Sequence, residues 1–190
     1  MSDTTAPVHE FNPYKIPREY LAAIGLVAAC SAQTETVLKM LLGACIGVDM
    51  EYGSAVSCHM TAPLRDSVIR AAAEIRLDST EALDELDALL DAVKSALDKR
   101  NDIVHHSLYR DVNTGEIFRV KETARGSVKV DVIPVTVDQI ELDAKAIYDG
   151  GLAIMQFMMK HGLEPRPMPT RPRGHKLRAA RKAARKQSGK

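Results

Sequence analysis

Residues 99–106 read Lys99-Arg100-Asn101-Asp102-Ile103-Val104-His105-His106 and bring an arginine, an asparagine and a histidine close together in a 190-residue chain. An imidazole titrates near neutrality, so His105 can take a proton from a ribose 2′-hydroxyl or give one to a departing 5′-oxygen. The guanidinium of Arg100 stays charged, forks onto two phosphate oxygens and stabilises the negative charge that builds up in a phosphoryl transition state. Asn101 and Asp102 are candidate orienters, Asp102 lying at helical spacings of three and four from His105 and His106. That chemistry is phosphodiester cleavage in RNA, and it calls for neither a metal nor a cofactor. A competing explanation is electrostatic: cations gather near helix C-termini because the helix dipole favours them there.

The element that carries these residues is legible from spacing. Leu83, Leu86, Leu90, Val93, Leu97, Arg100 and Val104 recur at alternating steps of three and four, which predicts a helix with its seam on those positions. Asp78-Ser79-Thr80-Glu81 supplies its capping candidates. At about 100° per residue, Arg100 and His105 lie roughly 140° apart around the axis. They are expected not to touch as a helical pair. Either Arg100 curls toward a phosphate shared with His105, or each residue reaches its counterpart on a second copy, a geometry that predicts a homodimer.

The other elements follow in order. Pro17 opens a long helix to about residue 45 with the seam Leu21, Ile24, Ala28, Ser31, Glu35, Leu38, Leu42. Glu35 is its anomaly: it tilts to the rim and is solvated, or it holds Arg100, Asn101 or His105, since a buried charge needs a partner. A break at 47–53 and a short helical turn at 55–60, with an isolated His59, precede a helix from Thr61-Ala62-Pro63 to Arg76. After the motif the period changes to two, predicting an antiparallel meander of 107–112, Asn113-Thr114-Gly115, 116–121, Thr123 to Gly126, and then Val128, Val130 and Val132 in strict alternation. Lys121, Arg125 and Lys129 on this meander frame a substrate or face water. Thr136 with Gln139 resembles a capping box opening a last helix that stops at Gly162. Within it Gly150-Gly151 permits a close crossing or a kink, and Met155, Met158 and Met159 read as packing.

The expected fold is mainly α, an up-and-down helical bundle with a small antiparallel β meander (about 107–134) inserted before the last helix. Residues 1–16 form a flexible arm, 17–162 the helical domain, and 163–190 a Pro-rich linker and a basic tail disordered on its own. Charge divides the same way: residues 1–159 hold 15 Lys/Arg against 24 Asp/Glu, a net −9, and residues 160–190 hold 11 against 1, a net +10. Lys176, Arg178, Arg181, Lys182, Arg185 and Lys186 are candidate nucleic-acid contacts; an acidic membrane surface or the protein's own acidic face are the other targets of such a tail.

Three cysteines, Cys30, Cys45 and Cys58, form no disulfide framework, and the N-terminus lacks a basic-then-apolar signal pattern, so the expected setting is the cytoplasm. Gln33, Glu35 and Lys39 interrupt the most apolar region, from 21 to 46, which argues against a membrane span. The histidines and cysteines show no metal-ligand spacing.

The run Arg100-Asn101-Asp102-Ile103-Val104-His105 resembles the arginine, polar residue, three variable residues, histidine signature of the HEPN superfamily, at the end of the corresponding helix. The resemblance covers roughly residues 17–162. It implies a homodimer whose two motifs meet at the interface, and metal-independent RNase activity leaving a 2′,3′-cyclic phosphate. Arg100 and His105 would be the catalytic pair, Asn101 their support, and Glu35 the polar residue facing the motif from the first helix. Members act in toxin–antitoxin, abortive-infection and other defence systems, so an antitoxin or other regulatory protein is an expected partner; others serve as non-catalytic RNA-binding or interaction modules. A helical nucleic-acid-binding regulator using the basic tail is the alternative outside the family.

Overall fold

The computed structural model describes residues 9–124, 127–164 and 174–187, with the side chains of His9 and 174–179 left aside. The bundle is organised on α1 (Arg18–Ile46), which packs against α2 (Met50–Ser57), α3 (Ala62–Arg76), α4 (Thr80–Val104) and α5 (Val137–Lys160). By length and apolarity α1 could cross a membrane, its most apolar window having a mean hydropathy of 1.5; here it is the hub of the helical packing. Its buried face, including Ala23, Val27, Thr34, Leu38 and Leu41, keeps helical spacing. Gly47, at φ 72°, ends it in the left-handed conformation that glycine adopts without a Cβ penalty.

Side-chain caps set the helix starts. Thr61, Ser79 and Thr136 accept from the backbone N–H groups of Leu64, Ala82 and Gln139. The expected capping box at Thr136 is half closed, because the Gln139 amide donates to Asp143 at 3.2 Å. α2 begins inside the stretch expected to be a break. Asp49 accepts from the N–H groups of Glu51 and Tyr52, both at 3.0 Å, and so caps a helix that weak periodicity had hidden.

The core has two parts. Leu41, Leu42, Ile69, Leu86, Leu90, Ile154 and Phe157 fill one end of the bundle. Val27, Ala96, Ile103, Ile140, Ala144 and Ile147 fill the end that carries the motif. Burying each of the larger side chains contributes about 1.5–3 kcal/mol. The buried stripe of α4 is Ala82, Leu86, Leu90, Val93, Ala96 and Ile103, so toward its end it leaves the expected seam. α5 covers the Ala96 and Ile103 side, leaving Arg100 half-buried and Val104 exposed. Gly150 and Gly151 make the helix crossings close: a Cβ on Gly150 would sit 2.9 Å from Val93 Cγ2, and one on Gly151 2.7 Å from Thr34 Oγ1. Of the three methionines, Met158 is buried, whereas Met159 is exposed and Met155 borders on it.

Gly25 in α1 is the opposite case, with nothing within 4 Å of the place a Cβ would take. Gly25→Ala is therefore expected to stabilise the protein by about 0.5–1 kcal/mol through helix propensity alone. A rise in the urea midpoint checks this; a fall would mean that this face is covered by another molecule.

The meander consists of β2 (Ser107–Asp111), β3 (Ile117–Ala124) and β4 (Val128–Pro134), antiparallel, with β3 extending past Lys121 into the segment set apart at 123–126. The Asp111 carboxylate accepts from the N–H groups of Asn113 and Thr114 and shapes the turn that Gly115 completes at φ 76°. The end of the N-terminal arm is not free: β1 (His9–Glu10) pairs with β2, and Phe11 packs on Tyr109. Residues 1–8 and most of the Pro-rich linker lie outside the described residues. At the C-terminus, Gly174–Gln187 is a helix, α6. Ala, Lys and Arg are all good helix formers, which is why this segment takes a helical form.

Candidate active site at the end of the fourth helix

α4 stops at Val104, and His105 is its C-cap, its N–H donating to the carbonyl of Asn101 at 3.1 Å. Arg100 Nη1 donates to Asn101 Oδ1 at 2.9 Å and lies 3.3 Å from His105 Nε2. Arg100 and His105 do not meet as a simple helical pair: the 140° separation holds for a continuing helix, whereas His105 lies where the helix ends and the long arginine side chain curls to it over the last turn. Because a guanidinium only donates, this contact is a hydrogen bond when Nε2 is unprotonated, as a general base must be. His105 and Asn101 are exposed and Arg100 is half-buried. Arg100 Nε is buried without a partner among the described residues, an arrangement that costs about 1–3 kcal/mol.

Asp102 and His106 face the other way, toward β3. The Asp102 carboxylate accepts from Lys121 Nζ at 2.9 Å and lies 3.7 Å from Arg119 Nη1 and 4.0 Å from His106 Nδ1. His106 Nδ1 is 2.9 Å from the Asp102 carbonyl oxygen. Asp102, a candidate orienter of the motif, instead fastens α4 to the sheet, and His106, the other candidate support, bonds to Asp102 in its own turn. Lys121 is thus engaged by Asp102, Lys129 pairs with Asp131 at 3.0 Å, and Arg125 lies outside the described residues.

Partial burial pushes the Asp102 carboxyl up, but the Lys121 hydrogen bond and the charges of Lys121, Arg119 and His106 outweigh it and hold it below the usual carboxylate range. A depressed folded-state pKa stabilises the protein above the unfolded value, near 4, and that contribution is lost as pH falls through the folded value. Lys121→Met is expected to move the Asp102 titration upward in a carbon-detected NMR titration; an unmoved midpoint would remove Lys121 as the cause.

Glu35 does not join the group. It is half-buried on α1, with no hydrogen bond or ion pair among the described residues, and so holds none of Arg100, Asn101 and His105. Lys99 is engaged with Asp143 at 3.2 Å. Burial pushes the Cys45 thiol up to about 11, which keeps it from serving as a nucleophile. Among the described residues no three His, Cys, Asp or Glu are grouped to hold a metal ion. On α6, Arg181, Lys182, Arg185 and Lys186 are exposed, whereas the side chains of Lys176 and Arg178 are outside the description.

Spacing missed one residue. Arg65, in the first turn of α3, is 7% exposed and lines a cavity that also reaches Asn101. Its position just after a Thr cap, where a cation is disfavoured, was the only signal available. Compared with family models, with curated proteins and with solved structures, the chain matches none.

Proposed function

We propose that this protein is a metal-independent endoribonuclease of HEPN type, acting as a homodimer in the cytoplasm, in a toxin–antitoxin or phage-defence role. The observation that carries the reading is the exposed group in which one guanidinium touches both Asn101 Oδ1 and His105 Nε2. In the reaction the ribose 2′-oxygen bonds to the adjacent phosphorus, the bond from phosphorus to the 5′-oxygen breaks, and a 2′,3′-cyclic phosphate results. His105 accepts the 2′-hydroxyl proton, and Arg100 stabilises the charge on the non-bridging oxygens. The 5′-oxygen leaves with a proton, which one imidazole cannot supply while it is acting as base; His105 of a second copy supplies it. The dimer is supported by apolar side chains left exposed on α1 and α5, among them Leu26, Leu152 and Met159.

A second reading, an RNA-binding module without catalysis, is favoured by the exposed cations Arg181, Lys182, Arg185 and Lys186 of α6. Incubation of the purified protein with mixed-sequence single-stranded RNA in EDTA, followed by analysis of the ends, separates the two. Cyclic-phosphate ends are expected. Ends bearing 5′-phosphate, or strict dependence on added metal, overturn the proposal; RNA binding by a folded protein without cleavage favours the module.

A further inference from the structure

A cavity of about 390 Å³ lies between α1, α3 and α4. It falls within the range of about 300–1,000 Å³ that small-ligand sites occupy. Leu38, Ile69, Leu90, Val93 and Leu97 form an apolar wall, and Arg65 lines the same space. Arg65 is 93% buried, taking its 7% exposure, yet among the described residues its side chain makes no hydrogen bond or ion pair.

None of its nitrogens is sealed from solvent, so the guanidinium meets the open space of the cavity with its donors unengaged by the protein. The neighbouring carboxylates do not engage it. Asp66 is bound by Arg70, 3.1 Å from its Nε, and the same arginine holds Asp87 and Asp91. Asp98 and Lys94 both line the cavity, one charge of each sign, and neither is bonded to Arg65. Arg65 also stands in the first turn of α3, where the helix dipole repels a cation and attracts an anion. The cavity therefore offers an anion a partner that the fold itself leaves unmatched.

Its position says which anion. Asn101 lines the cavity and also accepts from Arg100, so the space adjoins the Arg100–His105 pair. We infer that the cavity is a nucleotide subsite, in which one nucleotide of the RNA beside the scissile bond places its phosphate on Arg65 and its base against the Leu38, Ile69 and Leu97 wall. Lys94, Asp98 and Asn101 supply donors and acceptors for the base edge. The source of the nucleotide rests on the ribonuclease reading; the cavity's affinity for it does not.

The test is calorimetric titration of the full-length protein with each nucleoside 5′-monophosphate and, separately, with inorganic phosphate. The wild type and His105→Ala are expected to bind at least one monophosphate alike and at least tenfold tighter than phosphate. Arg65→Met is expected to lose tenfold or more, and monophosphate should shift the methyl resonances of Ile69 and Leu97 in the wild type. If Arg65→Met does not fold, Arg65→Lys takes its place, with partial retention expected. Equal affinity in the Arg65 variant, or phosphate binding as tightly as every monophosphate, overturns the subsite. RNA cleavage without monophosphate binding overturns it too and leaves the ribonuclease reading standing. Arg65-dependent binding without RNA cleavage does the reverse.

Discussion

His105→Ala is expected to lower RNA cleavage by about 10²–10⁴-fold, the usual contribution of a general acid or base. Arg100→Ala is expected to cost about 10²–10³-fold, as for loss of one preorganised donor to a developing oxyanion. Arg100→Lys should recover little of this. Nη1 alone reaches Asn101 Oδ1 at 2.9 Å and His105 Nε2 at 3.3 Å, which leaves Nη2 for phosphate, whereas an ammonium has one nitrogen for all three. Because the two side chains act as a unit, the double variant should be scarcely slower than the worse single one. His105 is exposed, so its replacement should change stability by no more than about 0.5 kcal/mol, and a loss of activity cannot be assigned to unfolding. Single-turnover rates on one RNA, measured beside thermal melts, decide the matter; undiminished cleavage by either alanine variant would remove the site from this end of α4.

The largest expected effect on stability is at the crossing of α1 and α5. Gly151→Val gains a few tenths of a kcal/mol in helix propensity, which is small beside what it disturbs. Its Cβ would come to 2.7 Å from Thr34 Oγ1 and 3.3 Å from Thr34 Cα. Overpacking at such a contact costs about 1–3 kcal/mol. The Thr34 hydroxyl, fully buried, donates to the Ile147 carbonyl at 2.9 Å, and pushing it off that acceptor costs about 1–3 kcal/mol more. The sum, about 2–6 kcal/mol, is a large share of the ~5–15 kcal/mol that holds a domain together. Urea unfolding measures it. In a double-variant cycle, Thr34→Ala is expected to make Gly151→Ala much less harmful, whereas strict additivity would show that the two helices do not meet there. Gly150 meets Val93 of α4 on its other side, so a displaced α5 would also disturb the helix that presents Arg100.

Much of this architecture was legible in the chain itself, because the signals that set it are local. Thr61, Ser79 and Thr136 begin their helices through bonds to N–H groups three residues on, and Gly162, at φ 62°, follows the end of α5 where glycine was expected to stop it. The change from helical to alternating period placed the meander, and the double glycine marked the close crossing. The weak points were those where a cap outweighs periodicity, as Asp49 does for α2. Residue type and spacing also singled out Arg100, Asn101 and His105 as a group.

Only the tertiary structure decided what each side chain meets. The 140° rule kept Arg100 and His105 apart because it assumes a helix that continues, whereas the contact depends on where the helix ends. Which side of α4 is covered follows from the approach of α5, which buries Ala96 and Ile103 and leaves Arg100 at the edge. Asp102 goes to Lys121, 19 positions away across the start of the sheet, and not to the nearby His105. Glu35 is left outside the group, while Arg65, inconspicuous in the chain, is buried beside it. Caps and periods act within a few residues and can be read directly; burial and long-range pairing depend on how elements distant in sequence pack, and that packing is set by the whole core.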